Sequence, residues 1–186
     1  MLVINDLKAG RYIVVDGEPF AITKHSFVKM GRGQGVMRTT LKNLKTGQTL
    51  EKSFKGQEKI DEADITRTKA NYLYQEGGSY YFMDQESYDQ FFVSSGQLGD
   101  AAQYLIENLE VDVLNFNGQP ISVEIPTKVT YTVTQADPGV RGDTAQGSVT
   151  KKATMENGLE VNVPLFIATG DRIVVNTDSG DYVGKA

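Results

Sequence analysis

The sequence contains no cysteine and only one histidine among its 186 residues. Without cysteine the chain can form no disulfide, no thiolate zinc site and no thiol nucleophile. One histidine rules out a multi-histidine metal site, and a Ser-His-Asp triad would have to use His25. His25 lies between Lys24 and Ser26 without the carboxylate pattern of a catalytic site. We therefore interpret it as a strand residue and predict that the protein is not an enzyme.

Long apolar runs are also missing, since no segment approaches the roughly 18 apolar residues that a membrane helix needs. The first ten residues lack the basic start and apolar centre of a secretory signal. The acidic run Asp84-Gln85-Glu86 lacks the glycine and the terminal glutamate of a calcium loop, and we interpret it as a polar turn. We expect a cytoplasmic monomer with no metal, no cofactor and no membrane partner.

The chain has a net charge of −5, and its charged residues are unevenly distributed along the sequence. The segment from Lys8 to Lys59 has eleven lysines and arginines against four acids, a balance of +7. Residues 65–127 have two bases against nine acids (−7), and residues 128–186 have six bases against seven acids (−1). A basic end beside an acidic middle indicates contact with phosphate through selected faces. Solvated surface charge is the alternative interpretation.

Turn residues divide the chain into short β runs. Hairpins are predicted around Asp16-Gly17, Thr46-Gly47, Gly77-Gly78 and Asn117-Gly118, and residues 57–64 resemble a polar linker. One helix is predicted to begin near Asp100, with its core stripe formed by Ala101, Leu105, Ile106 and Leu109. After Pro126 the run Thr127-Lys-Val-Thr-Tyr131 repeats the pattern Thr68-Lys-Ala-Asn-Tyr72, 59 residues apart. The fold class is therefore all-β, with two similar barrels after a first one and boundaries near residues 64 and 127.

A glycine-rich loop between two β runs is the main candidate site. It reads Met30-Gly31-Arg32-Gly33-Gln34-Gly35 and matches neither a P-loop nor a dinucleotide-binding motif. Arg32 would stand about 20 Å beyond the barrel if about seven strand residues lead to it at roughly 3.3 Å each. Arginine is always charged and has no acceptor, so it suits clamping of phosphate or carbonyl oxygens. Four neighbouring cations extend this basic surface: Lys29, Arg38, Lys42 and Lys45.

Three stretches resemble the elongation factor P family over essentially the whole chain. They are the segment 29–47 containing the glycine-rich loop, the segment Gly139-Val-Arg-Gly-Asp-Thr144, and a spaced signature of Lys151, Ala153, Gly158, Val161, Val163-Pro164, Ile167 and Gly170. The end of the chain, Asp178 to Val183, is similar to the closing strand of the family.

The resemblance implies an SH3/KOW-like domain (1–64) and two OB-fold domains (65–127 and 128–186) in an L shape that imitates tRNA. It also implies binding to the 70S ribosome between the P and E sites, with contacts to the P-site peptidyl-tRNA, ribosomal RNA and mRNA. Such a factor relieves stalls at consecutive prolines by orienting the tRNA. Gly142-Asp143-Thr144 then corresponds to the loop near the E-site codon.

The loop departs from the family pattern at its tip, where Arg32 replaces the lysine that most members modify, and Met30 replaces proline. A minority of the family carries rhamnose on a tip arginine, but Gly33-Gln34-Gly35 does not match the surround found there. Two alternatives therefore stay open: a modifying enzyme acts on Arg32, or Arg32 keeps a bare guanidinium. The alternatives for the whole chain are a paralogous elongation factor P-like protein and a general single-strand RNA-binding OB protein. A single-strand binder stacks bases on exposed aromatics beside a basic groove, but the aromatic cluster Tyr72, Tyr74, Tyr80, Tyr81 and Phe82 lies in the acidic segment, so we interpret it as core packing.

Overall fold

The computed structural model of the chain describes residues 1–29, 35–138 and 149–186. Within these residues the regular structure is almost entirely β, arranged as three five-stranded antiparallel sheets that follow one another along the chain. Each sheet has its own cluster of buried apolar side chains. The predicted fold class, an all-β chain of three small barrels with one short helix, is confirmed.

The first sheet begins after a short 3₁₀-helix, Ile4–Asp6, and has the strand order β4-β3-β2-β1-β5. Its strands are β1 (Tyr12–Val15), β2 (Glu18–Val28), β3 (Val36–Asn43), β4 (Thr49–Lys55) and β5 (Asp61–Glu62). The predicted Asp16-Gly17 hairpin is confirmed, and both turn residues have positive φ, 51° and 81°.

The segment 57–64, predicted to be a polar linker, belongs in part to the first sheet. Ile60 pairs with Leu2 as an isolated bridge, and β5 pairs with β1. Ile60 and Ala63 are both buried, so their apolar side chains keep this segment on the first core. The linker prediction was wrong at these positions.

The second sheet has the order β10-β9-β6-β7-β8. Its strands are β6 (Ile65–Glu76), β7 (Ser79–Asp84), β8 (Gln90–Ser94), β9 (Glu110–Phe116) and β10 (Gln119–Glu124). The two predicted turns at Gly77-Gly78 and Asn117-Gly118 join β6 to β7 and β9 to β10, and all four of their residues have positive φ. These are the backbone conformations that two-residue hairpin turns require.

The helix of the second domain begins earlier than predicted. Helix α1 (Ser95–Leu98) has Ser94 as its N-cap, and the side chain of Gln97 reaches back to the Ser94 backbone N–H at 2.9 Å. Gly99, at φ 56°, ends the α-helix, and a 3₁₀-helix (Gly99–Tyr104) follows. Asp100 therefore lies inside the 3₁₀-helix, and the prediction that it caps a helix was wrong.

Three of the four apolar residues assigned to that helix pack in or against a core, as predicted, but they do not form one helical face, and Ala101 is only partly buried. Leu105 is buried in the second core. Ile106 packs against the third core, and Leu109 packs against both. The residues after Tyr104 leave the helix and lead into β9, and Ile106 and Leu109 among them pack the second domain against the third.

The third sheet repeats the connectivity of the second, with the order β13-β12-β11-β14-β15. Its strands are β11 (Lys128–Ala136), β12 (Thr150–Met155), β13 (Glu160–Pro164), β14 (Arg172–Asn176) and β15 (Tyr182–Lys185). In both sheets the first strand is central and pairs with the second and fourth strands. Tyr72 and Tyr131, which end the sequence repeat, lie on these two central strands.

The second and third domains share buried contacts. Tyr104 belongs to the third core, and the Tyr131 hydroxyl donates a hydrogen bond to its backbone carbonyl at 2.6 Å. The side-chain amide of Asn157 donates to the carbonyls of Gln103 and Leu105 at 2.8 and 3.2 Å. The 3₁₀-helix of the second domain is thus held by the third domain.

Candidate functional site

The candidate site is the long hairpin of β2 and β3. These strands pair from Phe20 opposite Asn43 to Val28 opposite Val36, with one register shift between Ile22 and Lys24. Strand β1 pairs with β2 only as far as Ala21, whereas β2 continues seven residues further to Val28. At about 3.3 Å per residue, the hairpin extends roughly 20 Å past β1.

Beyond Ile22, the projecting part of β2 has no buried side chain, because β1 no longer covers it. Residues 23–27 are all exposed. Strand β4 remains paired with β3 along the whole projection, ending with Lys55 opposite Val36. The three strands β2, β3 and β4 therefore form a ribbon, called the β2–β4 ribbon below.

One face of the β2–β4 ribbon is basic. The register places Lys24 opposite Thr40, and Ser26 opposite Arg38, on the face away from the buried Met37 and Phe54. Lys42 and Lys55 belong to the same face, and the acid on it is Glu51. These four cations against one acid make the face suitable for an RNA backbone. Lys24 and Lys55 were not among the predicted site residues, although their strand positions follow from the hairpin register.

The other face of the ribbon is more apolar. Phe27 is 49% exposed, and its ring lies against the backbone of Gly35. The Lys52 ammonium lies 5.7 Å from the ring centroid of Phe54, a distance suited to a cation–π contact. His25 lies on β2, as predicted, and its Nδ1 accepts a hydrogen bond from the Ala9 backbone N–H at 3.2 Å.

The predicted site residues of the hairpin fall into four groups. Arg38 and Lys42 lie together on β3, and Lys29 and Gly35 are the described residues that flank the tip. Lys45 lies in the β3–β4 turn, at the opposite end of β3 from the tip. Met30, Gly31, Arg32, Gly33 and Gln34 lie outside the described residues, so the tip arginine stays a prediction.

The turn between β3 and β4, at the end of the ribbon opposite the tip, packs against the second domain. A side chain on Gly47, whose φ is 77°, would collide with the backbone carbonyl of Gly96 in α1. Asn43 holds this turn by accepting hydrogen bonds from the N–H groups of Lys45 and Thr46, at 2.8 and 3.1 Å. The base of the ribbon is thereby fixed on the second domain.

A polar cluster makes a second link between these domains. The Arg67 guanidinium donates to the Tyr12 hydroxyl at 2.7 Å and pairs with the Glu124 carboxylate at 3.0 Å. The Tyr12 hydroxyl in turn donates to Glu124 at 3.1 Å. Burial, followed by the Glu124 charge, raises the pKa of Tyr12, so the phenol stays protonated and can donate.

The remaining predictions concern turns and loops. Asp84 accepts hydrogen bonds from the backbone N–H groups of Ser87 and Glu86, which lower its pKa and make the predicted polar turn. No group of metal-binding side chains occurs among the residues that the structure describes. Gly142, Asp143 and Thr144 lie outside the described residues, in the segment between β11 and β12.

The aromatic cluster of the second domain divides between the two faces of its sheet. Tyr72, Tyr80 and Phe82 pack in the second core, which agrees with the expectation that these aromatics are core residues. Tyr74 and Tyr81 instead stack on the outer face. The expectation was therefore wrong for these two tyrosines, because the register shifts between Tyr72 and Tyr74.

Helices in the described parts of the chain are all too short or too polar to traverse a lipid bilayer.

Three family models match successive parts of the chain. They are described as the elongation factor P (EF-P) KOW-like domain (residues 4–60), the elongation factor P (EF-P) OB domain (65–123) and elongation factor P, C-terminal (129–185).

Curated relatives match the chain over its full length. It is 46% identical to an elongation factor P of Thermotoga maritima and 44% identical to one of Dictyoglomus turgidum, covering 100% of both chains in each case. Among solved structures, eukaryotic translation initiation factor 5A from Methanococcus jannaschii has a similar fold. It has a TM-score of 0.52 at 23% identity, and the match covers 67% of this chain and 90% of that one. The three family models and the full-length relatives show that the chain belongs to the elongation factor P family, and hence to the translation elongation factors.

Proposed function

We propose that this protein binds the bacterial ribosome between the P and E sites and stimulates peptide-bond formation at consecutive prolines. The observation that carries the proposal is the β2–β4 ribbon, which extends past β1 with Lys24, Arg38, Lys42 and Lys55 on one face. A long, narrow, basic ribbon suits entry between RNA strands, where it neutralises phosphates without reading sequence.

The tip residue supplies the proposed contact with the P-site tRNA. Arg32 lies between β2 and β3 in the sequence and keeps its charge at every physiological pH. It stays protonated and has no acceptor, so it cannot act as a general base, and its role is to hold phosphate or carbonyl oxygens of the tRNA end. Proline reacts slowly because its ring constrains the attacking nitrogen, and orientation of the partner lowers such a barrier.

The other parts of the chain have supporting roles in this proposal. We assign domains to residues 1–64, 65–127 and 128–186, arranged as an L that imitates tRNA. Gly142-Asp143-Thr144 of the third domain lies near the E-site codon and contacts mRNA or ribosomal RNA. The protein acts as a cytoplasmic monomer without enzymatic chemistry of its own.

A reporter with three consecutive prolines tests the proposal in cells that lack their own factor. The unchanged protein should restore reporter synthesis relative to a proline-free control, and Arg32→Ala should restore much less. Arg172→Ala is the matched control, since Arg172 is an exposed arginine of the third domain. Equal rescue by the Arg32→Ala and Arg172→Ala proteins would remove Arg32 from the mechanism.

The chemical state of Arg32 is a separate question that intact-mass measurement answers. A gain of one deoxyhexose on protein from its native cell would favour a glycosylated tip, and with it a modifying enzyme. The unmodified mass would mean that the guanidinium acts without modification.

A further inference from the structure

Three aromatic side chains form a continuous row across the outer face of the second sheet. Tyr74 on β6 lies opposite Tyr81 on β7, which lies opposite Phe92 on the edge strand β8. The Tyr74 and Tyr81 rings stack at 4.7 Å and 16°, and the Tyr81 and Phe92 rings are 6.0 Å apart at 45°. We call these three residues the aromatic row.

The aromatic row faces solvent. Tyr74 is 45% exposed and Phe92 is 64% exposed, and the second core lies on the opposite face of the sheet. Exposed aromatics that form a contiguous patch commonly mark binding surfaces, whereas single exposed apolar residues do not. The row therefore requires an explanation other than packing within the described chain.

The net charge of the second domain and the acid beside the aromatic row favour a cationic partner. Residues 65–127 contain nine acids and two bases, Arg67 and Lys69. Both bases are already paired: Arg67 with Glu124, and Lys69 with Glu110 and Asp112. Glu76 lies two residues from Tyr74 on the same face. A phosphate backbone would be repelled here, so single-stranded RNA is a poor occupant despite the exposed rings.

We propose that the aromatic row is a docking surface for a basic protein segment that presents arginine. A guanidinium stacks on an aromatic face and can pair with a carboxylate through its edge, and the row with Glu76 offers both kinds of group. Lysine would gain the charge attraction but less of the planar stacking. The proposal concerns a different domain from the β2–β4 ribbon and does not depend on the ribosomal function.

Fluorescence anisotropy with the full chain tests this surface. The probes are a labelled peptide of six arginines alternating with serine, its lysine counterpart of equal charge, and labelled oligouridylate. The variants Tyr81→Leu and Phe92→Leu keep apolar bulk but remove the aromatic faces. Phe166→Leu is the matched control, because Phe166 of the third domain is 69% exposed and lies outside the row.

The arginine peptide should bind more tightly than the lysine peptide, and each row variant should weaken its binding by about threefold or more, the size of one exposed cation–π contact. Phe166→Leu should bind like the unchanged protein. Circular dichroism identifies any variant that has lost its fold. If one row variant does not fold, the binding measured with the other row variant tests the proposal. The proposal would be overturned if the arginine peptide did not bind, or if the two peptides bound equally well and the row variants bound them like the unchanged protein. It would also be overturned if oligouridylate bound and the row variants weakened that binding.

Discussion

The ring of Phe27 lies against the backbone of Gly35 at the point where the described part of the β2–β3 hairpin ends. A Cβ built on Gly35 would stand 2.7 Å from Cε2 of that ring and would collide with its outermost carbon, Cζ. Because Phe27 is half-exposed, its ring can move aside, but only by leaving this position. The pair therefore packs together at the last described positions of the hairpin.

This contact predicts an energetic coupling between the two positions. Gly35→Ala should cost stability while Phe27 is present and little in a Phe27→Ala background, because the second change removes the colliding ring. We expect a coupling free energy of about 0.5–1 kcal/mol, the lower range for residues in contact. Urea unfolding of the two single variants and the double variant, followed by circular dichroism, measures it. Simple additivity of the two changes would show that the contact has no energetic weight.

The basic face of the β2–β4 ribbon predicts a salt-dependent loss of ribosome binding. Arg38→Glu and Lys42→Glu should each weaken binding and lower the slope of log K against log salt by about 1 for each phosphate contact removed. Lys52→Glu is the matched control, since Lys52 belongs to the same ribbon but to its opposite face. Titration of labelled protein with ribosomes over a range of KCl concentrations measures both quantities. A larger loss for Lys52→Glu would contradict the assignment of the faces.

The buried hydroxyl of Tyr131 predicts a specific loss of stability. Tyr131→Phe removes the donor to the Tyr104 carbonyl and leaves that buried acceptor without its partner. The expected cost is about 1–3 kcal/mol in the free energy of unfolding. Tyr88→Phe provides the comparison, because Tyr88 is 71% exposed and its change should be close to neutral. Equal effects of the two substitutions would mean that the Tyr131 hydrogen bond does not link the domains.

The same tyrosine predicts how stability depends on alkaline pH. Burial, followed by the neighbouring Tyr104 and Glu156, raises the pKa of Tyr131 far above its ordinary value of about 10. The folded protein therefore keeps this proton at a pH where the unfolded chain loses it. The contribution of Tyr131 to the free energy of unfolding should therefore be fully present below about pH 10. It should fall as the pH rises further.

Tyr131→Phe should make this alkaline decline shallower. It should not abolish the decline, because burial also raises the pKa values of Tyr12 and Tyr72. Denaturant unfolding of both proteins between pH 8 and 11 gives the slopes to compare, a range that brackets the ordinary tyrosine pKa of about 10. Identical slopes would show that Tyr131 does not hold its proton in the folded state as described.

Local turn chemistry made much of the fold predictable. Asp16-Gly17, Gly77-Gly78 and Asn117-Gly118 each adopt the positive φ values that two-residue hairpins need, and the strands on either side follow. The start of the helix was missed because Asp100 is also a good capping residue. The stronger signal was the capping box of Ser94 and Gln97, with Gly99 as the stop.

A sequence pattern could not assign the aromatic residues to faces of the sheet. Tyr72 and Tyr74 are two residues apart and would share a face in a regular strand. The register shift between them sends Tyr72 into the core and Tyr74 to the surface. Such a bulge depends on pairing with β7, which local sequence does not specify. The projection of the β2–β3 hairpin was easier to predict from the sequence, because it follows from the length of the strands alone.

The most direct test of the proposed mechanism is to ask what residue 32 touches on the ribosome. A photoreactive amino acid at position 32 of the full chain would be activated on ribosomes stalled at consecutive prolines. We expect crosslinks to the 3′ end of the P-site tRNA, which should disappear when that tRNA is absent. Crosslinks confined to the protein's own first domain, or unchanged without the tRNA, would contradict the proposed mechanism.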